Sequence, residues 1–174
     1  MTLLKTPYGY DDGYIYLEVH ASGLPDHVNI NADTLYLKGE LHISLLCAKK
    51  IAALIDSERA DEIQQELVKE FISFTSTTPL DSFKPSKTFR LVKRNDRQTI
   101  VMMVDVPNLD KLFNHLSQKY GGALPLQPTH ITLYTLQPEA GIGILSRMEL
   151  ERDSELVEVA DLTDKSLSAQ TLIL

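Results

Sequence analysis

Two short segments constrain this chain more than any others. Residues 41–46 read L-H-I-S-L-L and residues 129–136 read T-H-I-T-L-Y-T-L. Apolar and polar side chains alternate in each, the mark of a strand with one face packed and the other open. On a strand, residues i and i+2 point to the same side. His42 and Ser44 therefore project together, away from Leu41, Ile43 and Leu45. By the same rule His130, Thr132 and Tyr134 share a face opposite Ile131 and Leu133. The apolar faces anchor both strands in a core, and the polar faces are presented to a surface or cleft.

The remaining pattern mixes strands and helices. Residues 14–19 (Y-I-Y-L-E-V) predict a strand closed by Gly23 and Pro25, and residues 34–38 a second short one. From Ala60 the period changes to three and four, through Ile63, Leu67, Phe71 and Phe74, which predicts an amphipathic helix capped by Asp56 or Ser57. Residues 87–93 and 98–106 are β-rich runs around a polar turn, and predict a hairpin. Asn108 suits the N-cap of a second helix with Leu109, Leu112, Phe113, Leu116 and Tyr120 on its apolar face, stopped by Gly121-Gly122. Residues 138–152 are a further helical candidate weakened by Gly141 and Gly143. Residues 156–162 are a weaker strand candidate, and the tail from Thr163 carries no clear pattern. The expected class is α+β with an antiparallel sheet. Each half holds a strand, a helix and an H-I-[ST]-L strand, which fits an internal duplication. At 174 residues, without an internal linker, the chain is expected to form one domain or two small lobes sharing a core.

Two matching imidazole–hydroxyl units suit phosphodiester chemistry. Imidazole titrates near neutrality, so one ring takes the proton of an attacking water while the other protonates the departing ribose oxygen. Ser44 and Thr132 are placed to hydrogen-bond the non-bridging oxygens. No metal is required, and no dense His/Asp/Glu cluster suggests one. The bare His-x-Ser/Thr pattern is weak by itself, since four of the five histidines satisfy it. Geometry separates them. His115 falls on the second predicted helix, where residues two apart diverge. His20 runs into the Gly23/Pro25 turn, and His27 reads as a loop residue. Cys47, the one cysteine, permits no intrachain disulfide and reads as a small buried hydrophobe. The net charge of −7 disfavours a protein that coats duplex nucleic acid, while leaving room for a small phosphate ligand or a nucleic-acid end. No apolar run approaches the length of a membrane span, so a cytoplasmic location is the default expectation.

These two motifs, 88 residues apart, resemble the paired His-x-Thr/Ser signature of the two-histidine (2H) phosphoesterase superfamily, which includes 2′-5′ RNA ligase-like proteins and cyclic nucleotide phosphodiesterases. The resemblance covers roughly residues 14–162. It implies two pseudo-symmetric lobes whose motif strands face each other across a central cleft. It also implies a cofactor-free hydrolase acting on a cyclic nucleotide, a cyclic oligonucleotide, or an RNA-terminal 2′,3′-cyclic phosphate or 2′-5′ linkage. His42 and His130 become the catalytic pair, with Ser44 and Thr132 as substrate-binding residues. Many members carry Arg or Lys soon after the second motif, where this chain has Tyr134 and Thr135. Tyr134 is then a candidate to stack on a base, and Lys49, Lys50, Arg90 and Arg94 are candidate phosphate partners. The rival expectations are a nucleotide- or RNA-binding module on the same fold without catalysis, and a structural protein whose histidines stand apart.

Overall fold

The computed structural model describes residues 7–137, 141–159, 162 and 167–169. Turn chemistry starts the fold. Strands β1 (Tyr8–Asp11) and β2 (Tyr14–Ala21) are joined by Asp12 and Gly13, at φ 41° and 83°. Positive φ at both central positions matches a two-residue turn to the right-handed twist of its strands. A second hairpin joins β3 (His27–Ile30) to β4 (Asp33–Leu37) through Asn31, also at positive φ. Strand β5 (Leu41–Cys47) carries the first motif and runs directly into α1 (Ala48–Ile55), followed by α2 (Ala60–Thr75). The expected third hairpin, β6 (Lys84–Arg94) and β7 (Arg97–Asp105), turns at Asn95. Helix α3 (Leu109–Tyr120) stops at Gly121, which takes the left-handed conformation. Strand β8 (His130–Thr135) carries the second motif, and α4 (Arg147–Asp153), β9 (Ser154–Val157) and β10 (Leu167–Ala169) follow.

The pairings are antiparallel and join the strands into one open sheet of order β1-β2-β5-β8-β7-β6-β9, with β10 on β2 and the β3–β4 hairpin attached through β4 to β8. The class is thus α+β, as expected. Helices α1, α2 and α3 contribute Ile51, Leu67, Phe71, Leu112 and Leu116 to the main core, against Leu17, Ile43, Ile100 and Ile131 of the sheet. On the other side of β6 and β7, Val92 and Val101 pack with Ile142, Ile144 and Leu150. Among the described residues, no helix is long and apolar enough to cross a membrane.

Several boundaries differ from expectation. Residues 138–140 lie outside the described residues, and residues 141–145 are not helical. Helix α4 begins only after Ser146, whose hydroxyl accepts from Glu149 N–H while Glu149 Oε2 accepts from Leu145 N–H. This reciprocal pair of bonds fixes the helix start at Ser146, past the two glycines that weaken a helix upstream. The weak strand at 156–162 forms instead at Ser154–Val157, where β6 supplies its partner; residues 160 and 161 lie outside the described residues. Of the tail from Thr163, only residues 167–169 are described. Asn108 does occupy the α3 N-cap, yet in the left-handed conformation and without a side-chain cap bond. Asp56 accepts from Glu58 N–H and Arg59 N–H, so it closes the turn before α2 rather than capping the helix itself.

Candidate active site

The two motif strands are neighbours at the middle of the sheet. They pair at Ile43 opposite Ile131. Continuing that antiparallel register by one residue each way sets His42 beside Thr132 and Ser44 beside His130, on one face. On the outer sides, Ser44 pairs with Tyr16 and His42 with Glu18 of β2, while His130 pairs with Met103 and Thr132 with Val101 of β7. Two rows therefore cross the sheet, Tyr16–Ser44–His130 and Glu18–His42–Thr132. His42, Ser44, His130 and Thr132 all line a single cleft of about 260 Å³, together with Tyr14, Tyr16, Lys38 and Gln127. Residues 141–144 form its far wall.

Both motif strands carry the same irregularity. In β5 the register to β2 passes from Ser44 to Leu46, leaving Leu45 unpaired. In β8 the register to β7 passes from Thr132 to Tyr134, leaving Leu133 unpaired. Each is a β-bulge at the leucine after the hydroxyl residue, and a bulge breaks the alternation of faces. Its effect on Tyr134 corrects the expectation that this ring shares the histidine face. Tyr134 pairs with Ile100, a main-core residue, and is 0% exposed. Its hydroxyl donates to Pro25 O at 3.0 Å. Tyr134 is a packing residue, outside the cleft.

The two imidazoles sit in different settings. His130 is 7% exposed, and its Nδ1 lies 2.9 Å from Pro128 O. A carbonyl only accepts, so Nδ1 carries the proton and Nε2 presents a lone pair in the neutral ring. Burial holds the His130 pKa below its ordinary value, opposed by the Pro128 bond. His42 is half-buried, with its ring 5.1 Å from that of Tyr16. Its pKa is lowered to about 4, first by burial and then by the Lys38 and His130 charges, against a smaller upward pull from Asp11. Burial and neighbouring carboxylates raise the Tyr16 pKa, so its phenol stays a donor. For Tyr14 burial leads, followed by Cys47, in the same direction.

The basic residues expected from sequence serve other ends. Lys49 pairs with Asp12 at 2.9 Å. Arg90 binds Ser154, and Arg94 is held by Asp153 at 2.7 Å while donating to Gly143 O in the cleft wall. Lys50 is exposed, and none of the four lines the cleft. Lys38 does. Its N–H bonds Leu133 O, the carbonyl of the β8 bulge, at 2.8 Å, and its Nζ donates to Glu40 O at 3.0 Å. The chain leaves β4 at this point and re-enters the sheet as β5, which carries Lys38 to the edge of the site. Gln127 is the other residue without a motif signal. It is 4% exposed, and its Oε1 accepts from Cys47 N–H at 3.2 Å, tying the loop before the second motif to the end of the first. His20 and His27 lie at the end of β2 and start of β3 rather than in a loop. His115 is on α3 as expected, bonded to Glu70. A larger cleft of about 700 Å³ beside α3 contains no histidine. Among the described residues, no group of three His, Cys, Asp or Glu side chains is arranged to hold a metal ion. No protein-family model, curated protein or solved structure matches this chain.

Proposed function

We propose that the cleft is the active site of a two-histidine phosphodiesterase, cleaving a cyclic nucleotide, a cyclic oligonucleotide, or an RNA-terminal 2′,3′-cyclic phosphate or 2′-5′ linkage. One observation carries the reading. Two imidazoles and two hydroxyls, from motifs far apart in sequence, meet on one face around the Ile43–Ile131 pair. With a 2′,3′-cyclic phosphate, one ring takes the proton of the attacking water as the P–O bond forms. The other gives a proton to the ribose oxygen as its bond to phosphorus breaks, leaving a phosphomonoester. Ser44, Thr132 and Lys38 bind the non-bridging oxygens, where charge develops. Which ring is base and which is acid follows from substrate orientation. The two-lobed, pseudo-symmetric form of the fold belongs to the same proposal, and the matched bulges after Ser44 and Thr132 support it.

The low pKa of both rings favours a second reading, a nucleotide- or RNA-binding module. Two neutral imidazoles in the free protein lack the acid. In the enzymatic reading the bound phosphate anion supplies the compensating charge, since a nearby anion raises an imidazole pKa. Turnover of 2′,3′-cyclic nucleotides, with and without EDTA, separates the two. The enzymatic reading expects EDTA-resistant turnover that falls by about 10²–10⁴ in His42→Ala and in His130→Ala. Near-full activity in either variant sinks the paired mechanism, and binding without turnover by the intact protein favours the module.

A further inference from the structure

Beside the cleft lies a second cavity of about 420 Å³, within the range of small-molecule sites. It shares Tyr16, Lys38 and His42 with the cleft. A group bonded to a phosphate at His42 therefore extends directly into it. Leu24, Leu37 and Leu41 supply apolar wall beside the Tyr16 ring, suited to a flat uncharged ring system. The charge of the combined lining is unusual for a nucleic-acid site. Among the described residues, Lys38 is its one Lys or Arg, whereas Asp11, Asp12, Glu18 and Glu40 all line it. Asp12 is answered by Lys49 from outside. Glu18 stands directly across the strand pair from His42, and Glu40 follows Lys38 by two residues. The cation and hydroxyls match one phosphate. A second phosphate entering the larger cavity meets carboxylates.

We infer that the cavity takes the nucleoside of a substrate carrying a single phosphate, and that Glu18 and Glu40 exclude a second phosphate. This rests on the phosphodiester reading of the cleft and narrows it, from RNA ends in general to cyclic mononucleotides. Repulsion is a normal source of such discrimination, and between solvent-accessible charges it weakens with salt.

Calorimetric titration of the full chain with adenosine 2′-monophosphate and adenosine 2′,5′-bisphosphate tests this without requiring turnover. The monophosphate is expected to bind about tenfold more tightly at low ionic strength. The gap narrows at high salt, and it narrows in the Glu18→Gln/Glu40→Gln double variant. Equal or tighter binding of the bisphosphate, or a gap unchanged in the double variant, overturns the inference. Turnover is followed in parallel with a 2′,3′-cyclic mononucleotide and a dinucleotide ending in a 2′,3′-cyclic phosphate. Selective monophosphate binding with turnover of neither would sink the enzymatic reading and support the charge filter. Faster turnover of the dinucleotide overturns the filter and supports the enzyme.

Discussion

Ile43 of β5 and Ile131 of β8 stand opposite each other at the point where the two motif strands pair. Both are 0% exposed. Because antiparallel partners share a face, this one apolar contact fixes which side chains meet on the opposite face. The site geometry is thus set from the core side of the sheet.

That relationship predicts graded effects. Ile131→Ala leaves a cavity in the core and is expected to cost about 2–5 kcal/mol, whereas Ile43→Val costs about 0.5–1.5 kcal/mol. Urea unfolding measures both. Under the proposed function, Ile43→Val keeps turnover of 2′,3′-cyclic nucleotides, since the histidine pairing is unmoved. Loss of turnover at intact stability in that variant would show that the register is not the controlling feature.

Tyr134 tests the bulge. In Tyr134→Phe the bond to Pro25 O disappears, with an expected stability loss of about 0.5–1.5 kcal/mol. KM for a cyclic nucleotide stays unchanged, because the ring faces the core. A raised KM with unaltered unfolding would return Tyr134 to the cleft and contradict the register shift after Thr132.

The contrast between Thr132 and Tyr134 marks where the sequence stops being readable. Alternation assigned His42, Ser44, His130 and Thr132 to the exposed faces of strands, and all four line the cleft. It failed two residues later, because a bulge is defined by the partner strand and leaves no mark in the bulged strand itself. The adjacency of β5 and β8 is likewise a property of sheet order. Lys38 reaches the site only because β4 and β5 share the same edge of β8, a crossing that local pattern does not encode. Helix α1 is eight residues long, with no side-chain cap, so it offers little local signal. The β1–β2 hairpin went unread although Asp12-Gly13 is a strong hairpin dipeptide, because β1 is only four residues long and too short to stand out as a strand.

The imidazole settings predict a pH dependence. His42 has a folded value of about 4 against an ordinary 6.5. Between those values the unfolded chain binds the proton and the folded chain does not. The contribution of His42 to stability is therefore complete above about 6.5 and is lost as pH falls through about 4. His42→Gln should flatten the pH dependence of the urea midpoint across that window. Lys38→Met removes a cation that depresses this ring, so the His42 titration followed by NMR moves upward. A downward or absent shift would remove Lys38 from the neighbourhood of His42.

Gln127 offers a test of how phosphate is held under the proposed function. Cys47 N–H is a donor, so the side-chain atom facing it must be the carbonyl oxygen. The amide NH2 is left as a pair of donors, and the residue lines the cleft. Gln127→Glu keeps an acceptor for Cys47 N–H but replaces the donors with negative charge. The expected result is KM for a 2′,3′-cyclic nucleotide raised about tenfold, more at low salt than at high, together with a lowered unfolding midpoint, because a carboxylate replaces an amide at a position only 4% exposed. Gln127→Ala instead strands the buried Cys47 N–H and is expected to cost about 1–3 kcal/mol in stability. Steady-state kinetics and urea unfolding on the two variants separate the roles. If Gln127→Glu binds substrate as tightly as the parent, the amide does not face the phosphate and its task is confined to joining the two motif strands.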